Sequence, residues 1–320
     1  MSTQHKPRIV VLRGGPSEEH ALSMQNGAEV LSVLRAEGKV DVIDVVVTKQ
    51  GDWLENGFVR TPAQVLDRVD GVYIGMHGLY GEDGKVQREI ERHGVRYVGS
   101  RPFQSSVGLH KMLAKEHLGS DMVRLPRHLR LTKQGISDKH ATATMLERLL
   151  GPRLIFKPLF GGSGIGTTRA VGGIEILGAL EEILANYDEI LVEELISGTD
   201  VTCGILEGYR GEDLYAAPVV ELVFDTAGSD SVFTAEKIVP GRFTKAIKDE
   251  IAAAAVKIHK KLELSDLSRS DFVVTPNGDI YFLEVNTLPA LTNDSPLLAG
   301  LTSVGATQSE IVCHVCGRVL

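Results

Sequence analysis

Toward the C-terminal end the chain reads Arg269-Ser-Asp271, then Thr275-Pro-Asn277-Gly278-Asp279, then Glu284-Val-Asn286. Asn-Gly between two apolar runs is a strong hairpin signal, because both residues tolerate φ > 0. If Asn277 and Gly278 form a two-residue loop, residue 276 pairs with 279, Asp271 lies opposite Glu284, and Arg269 lies opposite Asn286. Side chains alternate along strands, so these four project from one face. Two carboxylates, an amide and a guanidinium together are costly to bury without a partner. Their oxygens suit a hard cation such as Mg²⁺, and the arginine suits phosphate or a developing oxyanion. A solvated polar face is the alternative; the interleaved Phe272, Val274, Tyr281, Leu283 and Val285 disfavour it.

At 320 residues the chain can hold two or three domains, since single cores stop growing at roughly 250–300 residues. Its net charge of −8 offers no electrostatic footprint for nucleic acid. No apolar run reaches the roughly 18 residues a membrane span needs. The first residues run into a strand without the pattern of a secretory leader, and three cysteines suit a reducing compartment, so a cytoplasmic location without membrane contact is expected. Cys313-His-Val-Cys316 has no second ligand pair at zinc spacing and reads as packing on a C-terminal amphipathic helix.

The first hundred residues alternate strand and helix. Strands are expected at Arg8–Arg13, Val40–Val47 and Val69–Ile74, with helices at Glu18–Ala36 (apolar stripe Ala21, Met24, Ala28, Leu31, Leu34) and Gly84–His93. That order predicts a parallel sheet, with Gly14–Ser17 and His77-Gly78 at the carboxyl ends of its strands, where sites form. A second unit, 101–190, holds a helix around Lys111, a strand near 127–131, helix 137–150, strand Arg153–Lys157, a glycine loop, a return strand and helix 173–186. Strand Glu189–Glu193 is expected to open the third unit, 191–320, with strands near 201–206, 214–224 and 271–284 and a long helix from Thr244 to Leu262.

Lys157-Pro-Leu-Phe-Gly161-Gly162-Ser163-Gly164-Ile-Gly166 can turn backbone N–H groups toward an anion. No Lys-Ser/Thr follows, so it is not a Walker A loop, and β-rich sequence follows instead of a helix start. A glycine loop between strands, with a lysine on the first, resembles a flap over nucleotide phosphates. Glu193 and the Leu195–Ile196 linker can read an adenine, and Asp200 a ribose; a strand ending in a turn is the plainer reading of that stretch alone.

Together these segments resemble the ATP-grasp superfamily, and within it the D-alanine–D-alanine ligase family. The similarity runs in order through Gly14-Gly15-Pro-Ser-Glu18-Glu19-His-Ala-Leu-Ser23, His77-Gly78-Leu-Tyr-Gly81-Glu82-Asp83-Gly84, the Lys111 helix, the Lys157 flap, Glu193–Asp200, Arg269–Asp271 and Glu284–Ser295. It implies an α/β chain, α+β overall, in three units: an N-terminal parallel-sheet domain (1–100), a central unit (101–190) and a C-terminal unit (191–320), with the nucleotide between the last two. It implies ATP-dependent joining of D-alanine to D-alanine through an acyl phosphate, for peptidoglycan precursors. ATP phosphates would meet Lys111 and Lys157, with Ser163 in the flap; Glu193, Leu195, Ile196 and Asp200 would hold adenosine. Asp271, Glu284 and Asn286 would bind two Mg²⁺ ions, for which Mn²⁺ can substitute. Glu19 and His77 would orient the first amino acid, Arg269 and the Ala290 backbone the oxyanion, and Ser295 the second substrate's carboxylate. A homodimer through the first unit is also implied.

Three positions depart from the family pattern. Its loop Lys-Tyr pair is missing from Phe224–Ser231, which opens the acceptor to D-lactate, D-serine or another acid and leaves Lys237 or Lys245 to replace the lysine. Ala290 stands where glycine is usual, and Asp200 where glutamate is. A nucleotide binder without catalysis is the competing reading from a different class; the Asp271, Glu284, Asn286, Lys111 and Lys157 set argues against it.

Overall fold

Ile9 to Leu12 are buried without alternation, so β1 (Arg8–Gly14) is covered on both faces, as inner strands of parallel sheets are. In the computed structural model, which describes residues 6–162, 164–224 and 235–320, β1 leads through α1 (His20–Glu37) to β2 (Asp41–Val47). A hairpin of β3 (Trp53–Glu55) and β4 (Phe58–Arg60) and a helix α2 (Pro62–Leu66) precede β5 (Gly71–Ile74), α3 (Lys85–Arg92) and β6 (Arg96–Tyr97). The sheet order is β4-β3-β2-β1-β5-β6, with β1, β2, β5 and β6 parallel as expected. The short β3–β4 hairpin adds an antiparallel edge that its three-residue strands did not announce.

The buried face of α1 differs from the expected stripe. It comprises Ser23, Asn26, Gly27, Val30, Leu31 and Leu34, while Ala21 and Ala28 are exposed. Its first half is polar because it faces the loop after β5 and the segment after Asn286, where backbone groups need partners.

Helices α4 (Pro102–Leu109) and α5 (Lys111–Leu118) break at His110. Its extended backbone ends the first helix, and its ring Nδ1 accepts the Leu113 N–H to cap the second. A second sheet follows from β7 (His128–Thr132), α6 (Lys139–Leu150), β8 (Arg153–Pro158), β9 (Thr168–Val171), α7 (Gly173–Asn186) and β10 (Glu189–Glu194), in the order β7-β10-β8-β9. β10 therefore does not open the third unit: it is an inner strand pairing β7 and β8. Its run of buried residues carries no period that reveals which sheet it joins.

The third sheet contains β11 (Thr199–Glu207), β12 (Leu214–Ala216), β13 (Val220–Val223), β14 (Glu236–Ile238) and, after α8 (Lys245–Lys261), β15 (Leu267–Val274) and β16 (Ile280–Asn286). Its order is β14-β13-β11-β15-β16, with β12 on β11. Two helices, α9 (Pro296–Thr302) and α10 (Gln308–Gly317), close the chain.

The β15–β16 hairpin pairs Asp271 with Glu284 and Arg269 with Asn286, but for a reason other than a two-residue loop. Pairing stops at Val274–Ile280, and Thr275–Asp279 form the loop, closed by Thr275 N–H to Asp279 O (2.9 Å) and Gly278 N–H to Thr275 O (2.9 Å). The longer loop moves the register by one residue. A bulge at Asp271/Phe272, with Leu283 the extra residue of β16, moves it back.

Several apolar cores organise these sheets. Residues of β1, α1 and β5 share one with β11, β15, α9 and α10, including Ile9, Leu31, Leu267, Leu297 and Cys316, so Cys316 packs as expected. The second sheet has its own, drawn from residues 129–192. Gly84, at the start of α3, has φ +85°, and a Cβ there would stand 2.3 Å from the Pro102 carbonyl oxygen. Gly84→Ala is expected to lose about 1–3 kcal/mol in urea denaturation. Gly94→Ala, also at positive φ but in open space, should lose less; equal losses would refute the role of the close approach.

Candidate active site

Three cavities adjoin one another where the sheets meet. One is lined by Lys111, Lys157, Asp200, Arg269, Asp271 and Glu284. A second extends it along Lys157, Glu193, Leu195, Ile196 and Asp200. The third holds Glu19, His77, Glu82, Arg269, Glu284 and Asn286. Lys111, Arg269 and Glu284 face both the first and the third, so residues distant in sequence form one continuous site.

Beside the first two cavities, Lys157 projects from β8 and Glu193 from β10. Lys157 Nζ lies 2.7 Å from Glu193 Oε2, and Lys115 Nζ, from α5, lies 3.0 Å from Oε1. Burial opposes the charge on Glu193, but the two ammonium groups outweigh it and hold its pKa at about 2. Lys115 also donates to the Leu283 carbonyl (2.8 Å) in the bulge of β16. One turn earlier, Lys111 donates to the Gly161 carbonyl of the flap and lies 3.1 Å from Glu284 Oε2. α5 thus grips β16 by two lysines at i and i+4, one on its backbone and one on its carboxylate.

Arg269 forks onto Asp271, with Nε to Oδ1 at 2.9 Å and Nη2 to Oδ2 at 2.8 Å. Thr202 on β11 donates to Asp271 Oδ1 at 2.6 Å. Asn286 Oδ1 accepts the Leu288 N–H at 2.9 Å. The donor set for a metal is therefore two carboxylates and an amide. Among the described residues no group of three or more His, Cys, Asp or Glu stands together as a cage. So few protein oxygens beside an open cavity fit Mg²⁺, which is usually held by one or two carboxylates and the phosphates of its partner.

The third cavity is built on loops after β1 and β5. Ser17 Oγ donates to the His77 carbonyl (2.7 Å), and His77 N–H donates to Ser23 Oγ (2.9 Å). Gly78 leaves room for Glu19, since a Cβ there would stand 2.6 Å from its Oε2. The Asn26 side chain lies between His77 and the segment after β16. Its Oδ1 accepts the Leu291 N–H (3.0 Å), which fixes the amide so that Nδ2 donates to His77 Nε2 (3.1 Å). The imidazole is accordingly neutral; burial and then Arg269 lower its pKa to about 4. Glu82 accepts the Gly78 N–H (2.6 Å), and burial followed by the Glu19 charge raises its pKa to about 8.

The other expected residues lie elsewhere. Ser295 is buried and caps α9 by accepting the Leu298 N–H (3.2 Å), and it does not line these cavities. Ala290 is buried and has no positive φ, so its backbone does not require glycine. Ser163 and most of the Phe224–Ser231 loop, residues 225–231, lie outside the described residues. Lys245 is exposed and pairs with Asp249 (2.5 Å), whereas Lys237 neighbours Leu222, which lines the first cavity. Lys115, Asn26, Glu82 and Thr202 escaped the sequence reading. Only Lys115 left a signal, one turn after Lys111 on the same helix face.

Residues 118–316 match the family described as "D-ala D-ala ligase C-terminus". The D-alanine–D-alanine ligase of Geotalea uraniireducens is 34% identical over 292 residues, covering 91% of this chain and 88% of that protein. That of Halalkalibacterium halodurans is 33% identical over 318 residues, 95% of this chain and 96% of its own. Among solved structures, the VanG D-Ala:D-Ser ligase of Enterococcus faecalis aligns with a TM-score of 0.84 at 25% identity, over 99% of this chain and 100% of that one. The Bacillus anthracis D-alanine–D-alanine ligase complexed with ATP aligns at 0.78 with 24% identity, over 98% and 96%.

Glu82 holds a proton in the folded chain between its ordinary 4.5 and about 8, a range in which the unfolded chain has released it. Its contribution to stability therefore falls as pH rises through that window. Glu82→Gln removes this dependence while keeping an acceptor for Gly78. The melting temperature of the variant relative to the parent is expected to rise between about pH 5 and pH 8. His77 contributes equally to both proteins, so a flat difference would refute the protonated carboxyl.

Proposed function

Because the chain belongs to the D-alanine–D-alanine ligase family of ATP-grasp enzymes, we propose that it joins D-alanine to a second D-alanine in the cytoplasm, for peptidoglycan precursors. The observation that carries this reading is the shared wall of Lys111, Arg269 and Glu284 between a cavity lined by Lys157, Asp200 and Asp271 and one holding Glu19 and His77. ATP lies between the second and third sheets, its adenosine along Glu193, Leu195, Ile196 and Asp200 and its phosphates at Lys111 and Lys157. Ser163, outside the described residues, is assigned to the flap by the family resemblance alone.

Glu19 takes the ammonium of the first D-alanine, and neutral His77 hydrogen-bonds beside it. That substrate's carboxylate oxygen attacks the γ-phosphorus and the bond to the β-phosphate oxygen breaks, giving an acyl phosphate with ADP as the leaving group. The lysines and Arg269 act by position and charge, which is most of what phosphoryl transfer needs. Asp271, Glu284 and Asn286 would hold Mg²⁺, which supplies charge neutralisation at the transferred group when bound. The second amine then attacks the carbonyl carbon, Arg269 and the Ala290 backbone N–H stabilise the oxyanion, and phosphate leaves as the amide forms. Ser295 fixes α9 behind the acceptor; it caps the helix as an acceptor, which leaves its O–H to donate to the acceptor's carboxylate. The flap excludes water from the acyl phosphate.

A D-serine or D-lactate acceptor is the second reading, favoured by the missing Lys-Tyr pair in Phe224–Ser231 and the similarity to a D-Ala:D-Ser ligase. Incubation with ATP, Mg²⁺ and D-alanine, with and without D-serine or D-lactate, is read by mass spectrometry of the products. D-alanyl-D-alanine with stoichiometric ADP and phosphate is expected; a mixed product dominating in competition would establish the second reading. No ADP with any pair would overturn both. Arg269→Lys, which keeps charge but loses the planar fork, should lower turnover by about 100-fold or more.

A further inference from the structure

Lys115 has no exposed side-chain surface, and it is among the largest wholly buried side chains of the protein. It lines neither the phosphate-sized cavity nor the adenosine cavity, whereas Lys157 lines both. Between the two lysines stands one carboxylate, Glu193, with Lys115 at 3.0 Å from one oxygen and Lys157 at 2.7 Å from the other. Two other acids act on Lys157: Glu284, which is paired with Lys111 at 3.1 Å, and Asp200, which lines both cavities with it. A single lysine would neutralise Glu193. The second leaves the buried trio with a net positive charge, an expensive arrangement unless an anion completes it. Lys115 approaches from behind, so the surplus charge is presented by Lys157 on the cavity side.

We infer that Lys115 is a positioning residue for nucleotide phosphates: it holds the charge of Glu193 so that Lys157 is not consumed in a closed, neutral ion pair. This deepens the proposed function and rests on its placement of ATP phosphates at Lys157. Without Lys115, Lys157 and Glu193 neutralise one another, and a phosphate must compete with the carboxylate for the same ammonium. The bond from Lys115 to the Leu283 carbonyl is a separate, structural role.

Lys115→Gln separates the two roles, because it removes the charge yet keeps a donor for that carbonyl. Calorimetric titration with ADP in Mg²⁺ and with adenosine gives the test as a ratio of affinities. The ADP-to-adenosine ratio is expected to fall about tenfold or more in Lys115→Gln. It should rise, or hold at the parent value, in Glu193→Gln, where Lys157 loses its competitor. In the double variant Lys115→Gln/Glu193→Gln it should recover most of the loss. Equal weakening of ADP and adenosine in Lys115→Gln, an unchanged ratio, or no recovery in the double variant would each overturn the inference. If Lys115→Gln does not fold, a lower ratio in Glu193→Gln overturns it and a higher one supports it. A parent protein that binds neither ligand would instead refute the nucleotide reading itself.

Discussion

A bulge of one residue in β16 governs how the site is assembled. Leu283 is the extra residue, and its insertion restores the pairing of Asp271 with Glu284 after the five-residue loop has displaced it. Side chains in a strand alternate faces, so without that correction the acidic pair would be split between the two sides of the sheet. The bulge is held from outside the sheet: Lys115 donates to its carbonyl while Lys111, one helical turn away, meets the carboxylate that follows it. The same helix begins at His110, where an extended residue stops α4 and allows α5 to start with its lysines facing β16. Backbone register, helix capping and charge placement are therefore one device.

Much of this was legible in the sequence. Local signals with a clear mechanism transferred well: the buried run of β1, the glycine loop after Lys157, the long helix α8 and the polar face of the hairpin. The reading failed where the deciding partner is distant. β10 is an apolar run that fits any sheet, and only its pairing with β7 and β8 assigns it. The pairing of Asp271 and Glu284 was anticipated through a two-residue loop that does not exist, since sequence offers no sign of a bulge that cancels a longer loop. Asn26 was hidden because helical periodicity marks apolar faces, and the face of α1 that carries it is polar for the sake of His77 and Leu291. Ser295 was legible as polar but not as a helix cap.

The charges at the two ends of the site are handled differently. Beside Lys157, Glu193 stays ionised because two lysines flank it. In the cavity of Glu19 and His77, Glu82 keeps its proton because burial and Glu19 act in the same direction. His77, between Asn26 and Arg269, is kept neutral. Buried ionisable groups with opposing shifts within one site are characteristic of catalytic centres, where protonation must be set before substrate arrives.

The division of apolar contacts has a consequence for cohesion. The first and third sheets are sewn together by a common core, and Asn26 and Glu29 of α1 add hydrogen bonds to Leu291 and Asn293. The second sheet draws its core from its own residues alone. It is thus a separate cooperative unit, able to lose amide protection without breaking the core shared by the other two. A molecule held by both Lys157 and Lys111 would span that seam, so its binding free energy would add to the cohesion of the second sheet with the rest of the chain.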